Sequence, residues 1–226
     1  MKSASTVVDA IKFARFAARR RFTSLDISPE PHFDPEVKAE FLKRISESRG
    51  YLEFGAGGST CCAAQRGVRT VSVEADAVFA AAVRQYLPSA APVDVLDVNL
   101  GVTGEWSYPL FKTPTPKRIQ RWRKYVDAPF EHLKQAGWFP DFVLVDGRFR
   151  RACALRTARE ESLLQVPVTM LVDDYFTAGR EHYAAIERWL GAPARIGRGA
   201  CFHVRPATTL RIPTEEDIES AIRDCR

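Results

Sequence analysis

The acidic residues with chemical promise in this chain stand at the ends of short apolar runs. In Tyr51-Leu-Glu53-Phe-Gly55-Ala-Gly57-Gly58-Ser59-Thr60 a glutamate precedes a glycine turn by two residues, and Ser59 or Thr60 opens a helix. Glycines let a backbone approach a ligand closely, and a helix start offers unpaired N–H groups. Glu74 closes the next run, Val71-Ser-Val-Glu74. An acid about 20 residues past such a turn can accept hydrogen bonds from both hydroxyls of a ribose. Asp146 closes a third run, Asp141-Phe-Val-Leu-Val-Asp146, and is followed by Gly147-Arg148-Phe149-Arg150. Two arginines flanking an aromatic ring can hold a carboxylate or phosphate through paired hydrogen bonds. Asp173 and Asp174 close a fourth run. Three carboxylates converging from neighbouring run ends repel one another, and a hard divalent cation with oxygen ligands relieves this. Asp146, Asp173 and Asp174 are therefore candidate ligands for Mg or Mn.

A dinucleotide-binding turn needs a third glycine where Thr60 stands, and Glu53 would repel a pyrophosphate. The pair Glu53 and Glu74 suits a ligand with positive charge and a ribose but no phosphate, as in S-adenosylmethionine. Here the chain resembles motif I of the class I S-adenosylmethionine-dependent methyltransferases, with Glu74 as the motif II acid. The resemblance continues through Asp141–Asp146 and Leu171–Asp174 and covers about residues 34–205. The glycines run Gly-x-Gly-Gly where the family has Gly-x-Gly-x-Gly. The resemblance implies that Glu53 holds the methionine amine, that Gly55, Gly57, Gly58 and Ser59 form the cofactor turn, and that Glu74 holds the ribose. It puts Asp97 and Trp106 near the adenine and Asp146 beside the transferred methyl. Members that methylate base amines often carry an Asn/Asp-Pro-Pro-aromatic motif at Asp146; its lack argues against a nucleobase-amine acceptor. Asp146, Asp173 and Asp174 also resemble the metal site of the catechol-type O-methyltransferases, with Asp174 where that group has asparagine and Phe149 where it has a lysine base. Asp174 or Tyr175 is then the expected general base, and Arg148 an acceptor contact. Val143–Arg150 together with Trp106-Ser-Tyr-Pro109 is similar to a group of bacterial methyltransferase-like proteins. It is similar, more distantly, to plant enzymes that O-methylate uronic acids of cell-wall glycans.

Positioning these residues takes alternating strands and helices. The order predicts an α/β fold with a doubly wound, mostly parallel sheet and a terminal antiparallel hairpin over Arg195–Val204. Ligands of such sheets bind beyond the carboxyl ends of the strands, where Glu53, Glu74, Asp97, Asp146 and Asp173 all fall. Trp106, Tyr108, Tyr125, Tyr175 and Tyr183 are aromatic candidates for the pocket wall. Separate helices are expected over Pro116–Tyr125, Pro129–Ala136 and Arg180–Leu190, the last burying His182. Residues 1–33 read as a basic helical arm and linker, and residues 34–226 as a single methyltransferase-like domain.

The composition narrows the class further. The 226 residues are 46% hydrophobic, which is ordinary for a globular protein, and no apolar run approaches the roughly 20 residues of a membrane span. Lys2, Lys12, Arg15, Arg19, Arg20 and Arg21 against Asp9 account for the whole net charge of +5, so the charge marks the arm and not a nucleic-acid face. Five cysteines in no disulfide or zinc spacing fit a reducing, cytoplasmic setting. The expectation is an S-adenosylmethionine-dependent methyltransferase acting on an oxygen of a small, acidic acceptor. A catalytically silent domain of the same fold and a nicotinamide-dependent oxidoreductase are the alternatives.

Overall fold

The computed structural model describes residues 27–205 and 210–225. The strands are β1 (Gly50–Phe54), β2 (Arg69–Glu74), β3 (Val93–Asp97), β4 (Phe142–Val145), β5 (Val168–Val172), β6 (Ala194–Ile196) and β7 (Gly199–Val204). The α-helices are α1 (Pro35–Glu47), α2 (Gly58–Gln65), α3 (Ala77–Tyr86), α4 (Pro116–Ala136), α5 (Arg150–Leu164), α6 (Glu187–Leu190) and α7 (Glu215–Arg223). One sheet runs in the order β3-β2-β1-β4-β5-β7-β6. Its first five strands are parallel; β7 lies antiparallel to β5, and β6 to β7. The expected α/β architecture and its antiparallel end are both present. The strand order reverses between β1 and β4, the switch point at which such sheets form a crevice.

The strand residues divide by the period-2 rule. Leu52, Phe54, Val143 and Val145 face one layer, packed with Trp122, Phe130, Leu155 and Ile218 of α4, α5 and α7. Tyr51, Phe142, Leu144 and Leu171 face the other, against Val37, Phe41 and Ile45 of α1. Both faces are covered, which is why β1 and β4 are apolar almost throughout. Asp34 caps α1, its carboxylate accepting from the Val37 N–H at 2.8 Å, and Pro35 takes the first helical position, where no N–H is needed.

Three expectations change. The two helices split at Pro129 are one, because α4 continues through that proline. Trp122, Tyr125 and Val126 before it and Phe130 and Leu133 after it share one core, so tertiary packing outweighs the hydrogen bond that proline removes. The helix expected from Arg180 is a 3-10 stretch, Glu181–Ile186, followed by the single turn α6, and Tyr183 is buried in place of His182. The segment ahead of α1 is packed down where described: Ile27 is buried with Cys61, Ala80, Val83 and Val95. The expected basic helix before it lies outside the described residues. All five cysteines are buried free thiols. Among the described residues no helix is long and apolar enough to cross a membrane.

Candidate functional site

A cavity of about 310 Å³ opens at the carboxyl ends of β1, β2 and β4. Its floor is the contact between two turns. Gly55 (φ +104°) follows β1 and Gly147 follows β4, and a Cβ on Gly147 would lie 2.8 Å from the Phe54 carbonyl carbon and 2.0 Å from Tyr125 Oη. Only glycine lets the turns meet so closely. Ala56, Glu74, Ala75, Asp76, Phe79, Trp106, Ser107, Tyr125, Asp146 and Arg148 complete the lining.

Glu74 ends β2 with its carboxylate on the cavity wall. Oε1 accepts from the N–H groups of Ala75 (2.7 Å) and Asp76 (2.9 Å), and from Ser107 Oγ at 3.3 Å. Burial pushes its pKa up to about 7, against the pull of those two backbone donors. Ser107 comes from a loop in which Trp106 and Ser107 both have left-handed backbones (φ +56° and +58°), an unusual conformation for residues with side chains. This loop holds Trp106 at the cavity edge with 81% of its surface exposed.

On the opposite wall, Arg150 Nη2 binds Asp146 Oδ1 at 2.7 Å. Burial raises the Asp146 carboxyl and Arg150 opposes it. Arg150 Nη1 also donates to the Asp173 carbonyl and lies 3.4 Å from Asp174 Oδ2. Arg198, in the turn between β6 and β7, grips Asp173 through Nε–Oδ1 at 3.0 Å and Nη2–Oδ2 at 2.8 Å. Its Nε lies 3.1 Å from Asp174 Oδ1. Arg148 stacks its guanidinium 3.8 Å over the Tyr108 ring, and its N–H donates to Tyr125 Oη at 3.4 Å.

Comparison with known proteins places this arrangement. A solved structure of a methyltransferase-like protein from Silicibacter pomeroyi is 35% identical in sequence, matching 87% of this chain and 97% of its own, with a TM-score of 0.66. The chain belongs to the class I S-adenosylmethionine-dependent methyltransferase family. A Thermus thermophilus hypothetical protein (16% identity, 81% of this chain and 94% of that one, TM-score 0.43) is a fainter likeness. So is a Podospora anserina methyltransferase bound to S-adenosylhomocysteine (12%, 83% and 75%, TM-score 0.38). No family model and no curated protein matches the chain.

The methyltransferase motifs fall around the cavity, but not every expected side chain enters it. Gly55, the motif II acid Glu74, Trp106, Asp146 and Arg148 line it. The motif I acid Glu53 does not. It is fully buried and accepts hydrogen bonds from Tyr51 Oη (2.9 Å), Ser59 Oγ (2.6 Å) and Thr60 Oγ1. Strand alternation puts Glu53 on the α2 side, where it pins the first turn of that helix to β1; Ser59 is spent on the same contact. Gly57 and Gly58 start α2 outside the lining, and Gly58 is needed elsewhere, since a Cβ there would lie 2.2 Å from the Glu30 carbonyl oxygen. Asp97 turns away from the cavity to Arg84, 2.8 Å distant on α3. Tyr175 is a poor base: its hydroxyl donates to Glu187 at 3.0 Å, and burial with that carboxylate pushes its pKa up. Asp174, at φ +57°, is held by Arg150 and Arg198 outside the lining.

The metal expectation rested on repulsion among Asp146, Asp173 and Asp174. Their oxygens do converge, with one from each within 4.8 Å of the others. Yet Arg150 and Arg198 already supply the positive charge, and both Asp173 oxygens are taken. Arg150 thus belongs to this internal network and not to an anion-binding pair with Arg148. Asp76, Phe79, Ser107 and Arg198 were missed. Asp76 and Phe79 lie just past Glu74 at the start of α3, which the motif II position could have flagged. Arg198 gave no local signal, because only β5–β7 pairing brings it to Asp173.

Proposed function

We propose that this protein binds S-adenosylmethionine in the cavity and methylates an oxygen of a small acceptor. The observation that carries this is the motif II acid, Glu74, on the wall of a cavity at the sheet's switch point, in a chain of the methyltransferase family. Glu74 Oε1 is partly engaged by backbone donors, and its carboxylate accepts from the ribose hydroxyls, displacing Ser107. Trp106 and Phe79 provide flat apolar surface for the adenine. Glu53 acts from behind, fixing the Gly55–Thr60 turn. The bound cofactor supplies a methyl carbon made electrophilic by its sulfonium. Asp146 faces that end of the cavity. Arg150 holds Oδ1, leaving Oδ2 to accept the proton of an incoming hydroxyl as the oxygen attacks. Transfer of this kind depends on alignment more than on covalent help, and the paired glycine turns make a rigid floor for it.

Calorimetric titration of the purified protein with S-adenosylmethionine, S-adenosylhomocysteine and NAD tests this. The first two should bind and NAD should not. Binding of neither sulfur compound favours a silent domain, and binding of NAD alone favours an oxidoreductase.

A further inference from the structure

Four arginines gather on the Asp146 side of the cavity, and they divide into two pairs. Arg150 and Arg198 are matched to Asp146, Asp173 and Asp174, as described above. Arg148 and Arg180 are not: among the described residues neither has a carboxylate within ion-pair distance, although both are partly or largely buried. What holds them is aromatic. Arg148 lies flat on Tyr108 at 3.8 Å, and the charges of both arginines act on the Tyr108 hydroxyl. Arg180 Nη1 also donates to Tyr183 Oη at 2.9 Å. The order from the cavity outward is therefore Arg148, Tyr108, Arg180.

Arg148 and Arg180 both act on the same phenol, and Arg180 also feels the charge of Arg150. Partly desolvated positive charge without a counter-ion is costly, and a forked guanidinium suits a planar oxyanion. The hydroxyl of Tyr108 is drawn into the same field: burial resists, but Arg148 and Arg180 hold its pKa below the ordinary value. A ligand carrying its own negative charge relieves all of this at once. The acidic neighbours set a limit on that charge. Asp146 and Asp174 both pair with Arg150 and Asp146 lines the cavity beside Arg148, so they penalise a dianionic phosphate more than a singly charged carboxylate.

We infer that Arg148, Tyr108 and Arg180 form a carboxylate-recognition subsite, so that the methyl acceptor is a hydroxy acid whose carboxylate docks there while its hydroxyl reaches Asp146. This rests on the methyl-transfer reading and adds the acceptor's chemical class. Arg148 touches both the subsite and the cavity, which makes it the residue that sets the distance between carboxylate and reacting oxygen.

The test uses the full chain saturated with S-adenosylhomocysteine, titrated calorimetrically with glycolate, 4-hydroxybenzoate and glucuronate, each against its amide, and with inorganic phosphate. At least one acid should bind at least about tenfold more tightly than its amide, the loss expected when one charge-assisted contact goes. Arg180→Gln should abolish that preference while leaving S-adenosylhomocysteine affinity unchanged, and Arg180→Lys should restore part of it. Arg148→Gln should act the same way on the acids. No acid preferred over its amide, a preference that survives Arg180→Gln, or phosphate binding more tightly than every acid would each overturn the subsite. Failure of S-adenosylhomocysteine to bind the wild type would instead overturn the methyl-transfer reading.

Discussion

Glu74 is a buried acid that the fold leaves uncomfortable. Desolvation puts its pKa near 7 in the folded protein, against about 4.3 for an unperturbed glutamate. The native state therefore binds the proton more tightly than the unfolded chain does, so stability falls as pH rises between those two values and levels off above the higher one. Glu74→Gln removes the titration. Its thermal midpoint should gain on the wild type from about pH 4 to about pH 7 and keep a constant lead above that, as scanning calorimetry across this range would show. The same substitution should weaken S-adenosylmethionine by about tenfold to over a hundredfold, the loss of one charge-assisted hydrogen bond. A variant that is stabler at neutral pH yet binds poorly would mark Glu74 as kept for the ligand and not for the fold. An unchanged affinity would remove it from the ribose position.

At the scale of elements, the cavity depends on two strand-to-helix turns meeting edge to edge. Gly147→Ala places a Cβ against Tyr125 Oη and the Phe54 carbonyl carbon, so the turns must separate. Overpacking of this kind costs about 1–3 kcal/mol, and urea denaturation should record that loss together with weaker cofactor binding. Gly104→Ala is the control: it meets nothing within 4 Å and needs no positive φ, so it should stay within about 0.5 kcal/mol of the wild type. Combining Gly147→Ala with Tyr125→Phe should recover part of the loss, because the tightest of the collisions, at 2.0 Å, disappears. These elements were legible in the sequence because β1, β2, β4 and β5 are short apolar runs ending in an acid. What could not be read was direction. Asp97 and Asp146 both end strands, yet only Asp146 enters the cavity, since Arg84 on α3 draws Asp97 away. Glu53 was misplaced for a similar reason: its partners Ser59 and Thr60 looked like a helix cap, and although Thr60 Oγ1 does accept from the Gly57 N–H at 2.9 Å, both hydroxyls donate to a buried carboxylate. Arg198 was invisible because a hairpin turn distant in sequence brings it to Asp173.

Over the whole molecule, the helical layer behind Tyr125 and Arg148 is drawn together at Glu215. Glu215, at the start of α7, meets Arg123 of α4 (2.7 Å) and Arg156 (2.7 Å) and Arg159 (3.0 Å) of α5. The chain thereby ties its last described helix to the two helices that support the cavity. Burial pushes the Glu215 carboxyl up, but the three arginines outweigh it and hold the pKa below its ordinary value. The sign is opposite to that of Glu74: a depressed acid contributes stability above its unfolded pKa of about 4.3 and loses it as pH falls through the lower folded value. Glu215 is half exposed, so water and salt screen the network and its worth is closer to about 1 kcal/mol than to the sum of three ion pairs. Glu215→Gln should therefore lower stability by about that amount at neutral pH, lose its effect as the carboxyl protonates in acid, and shrink in high salt. Denaturation midpoints measured against pH and ionic strength would read all three. A cost that persists in acid would mean that packing of α7 on α4 and α5, through Ile218 and Ile222, holds the layer without the charges. A cost that vanishes in acid while cofactor affinity stays unchanged would separate the clamp from the cavity it backs.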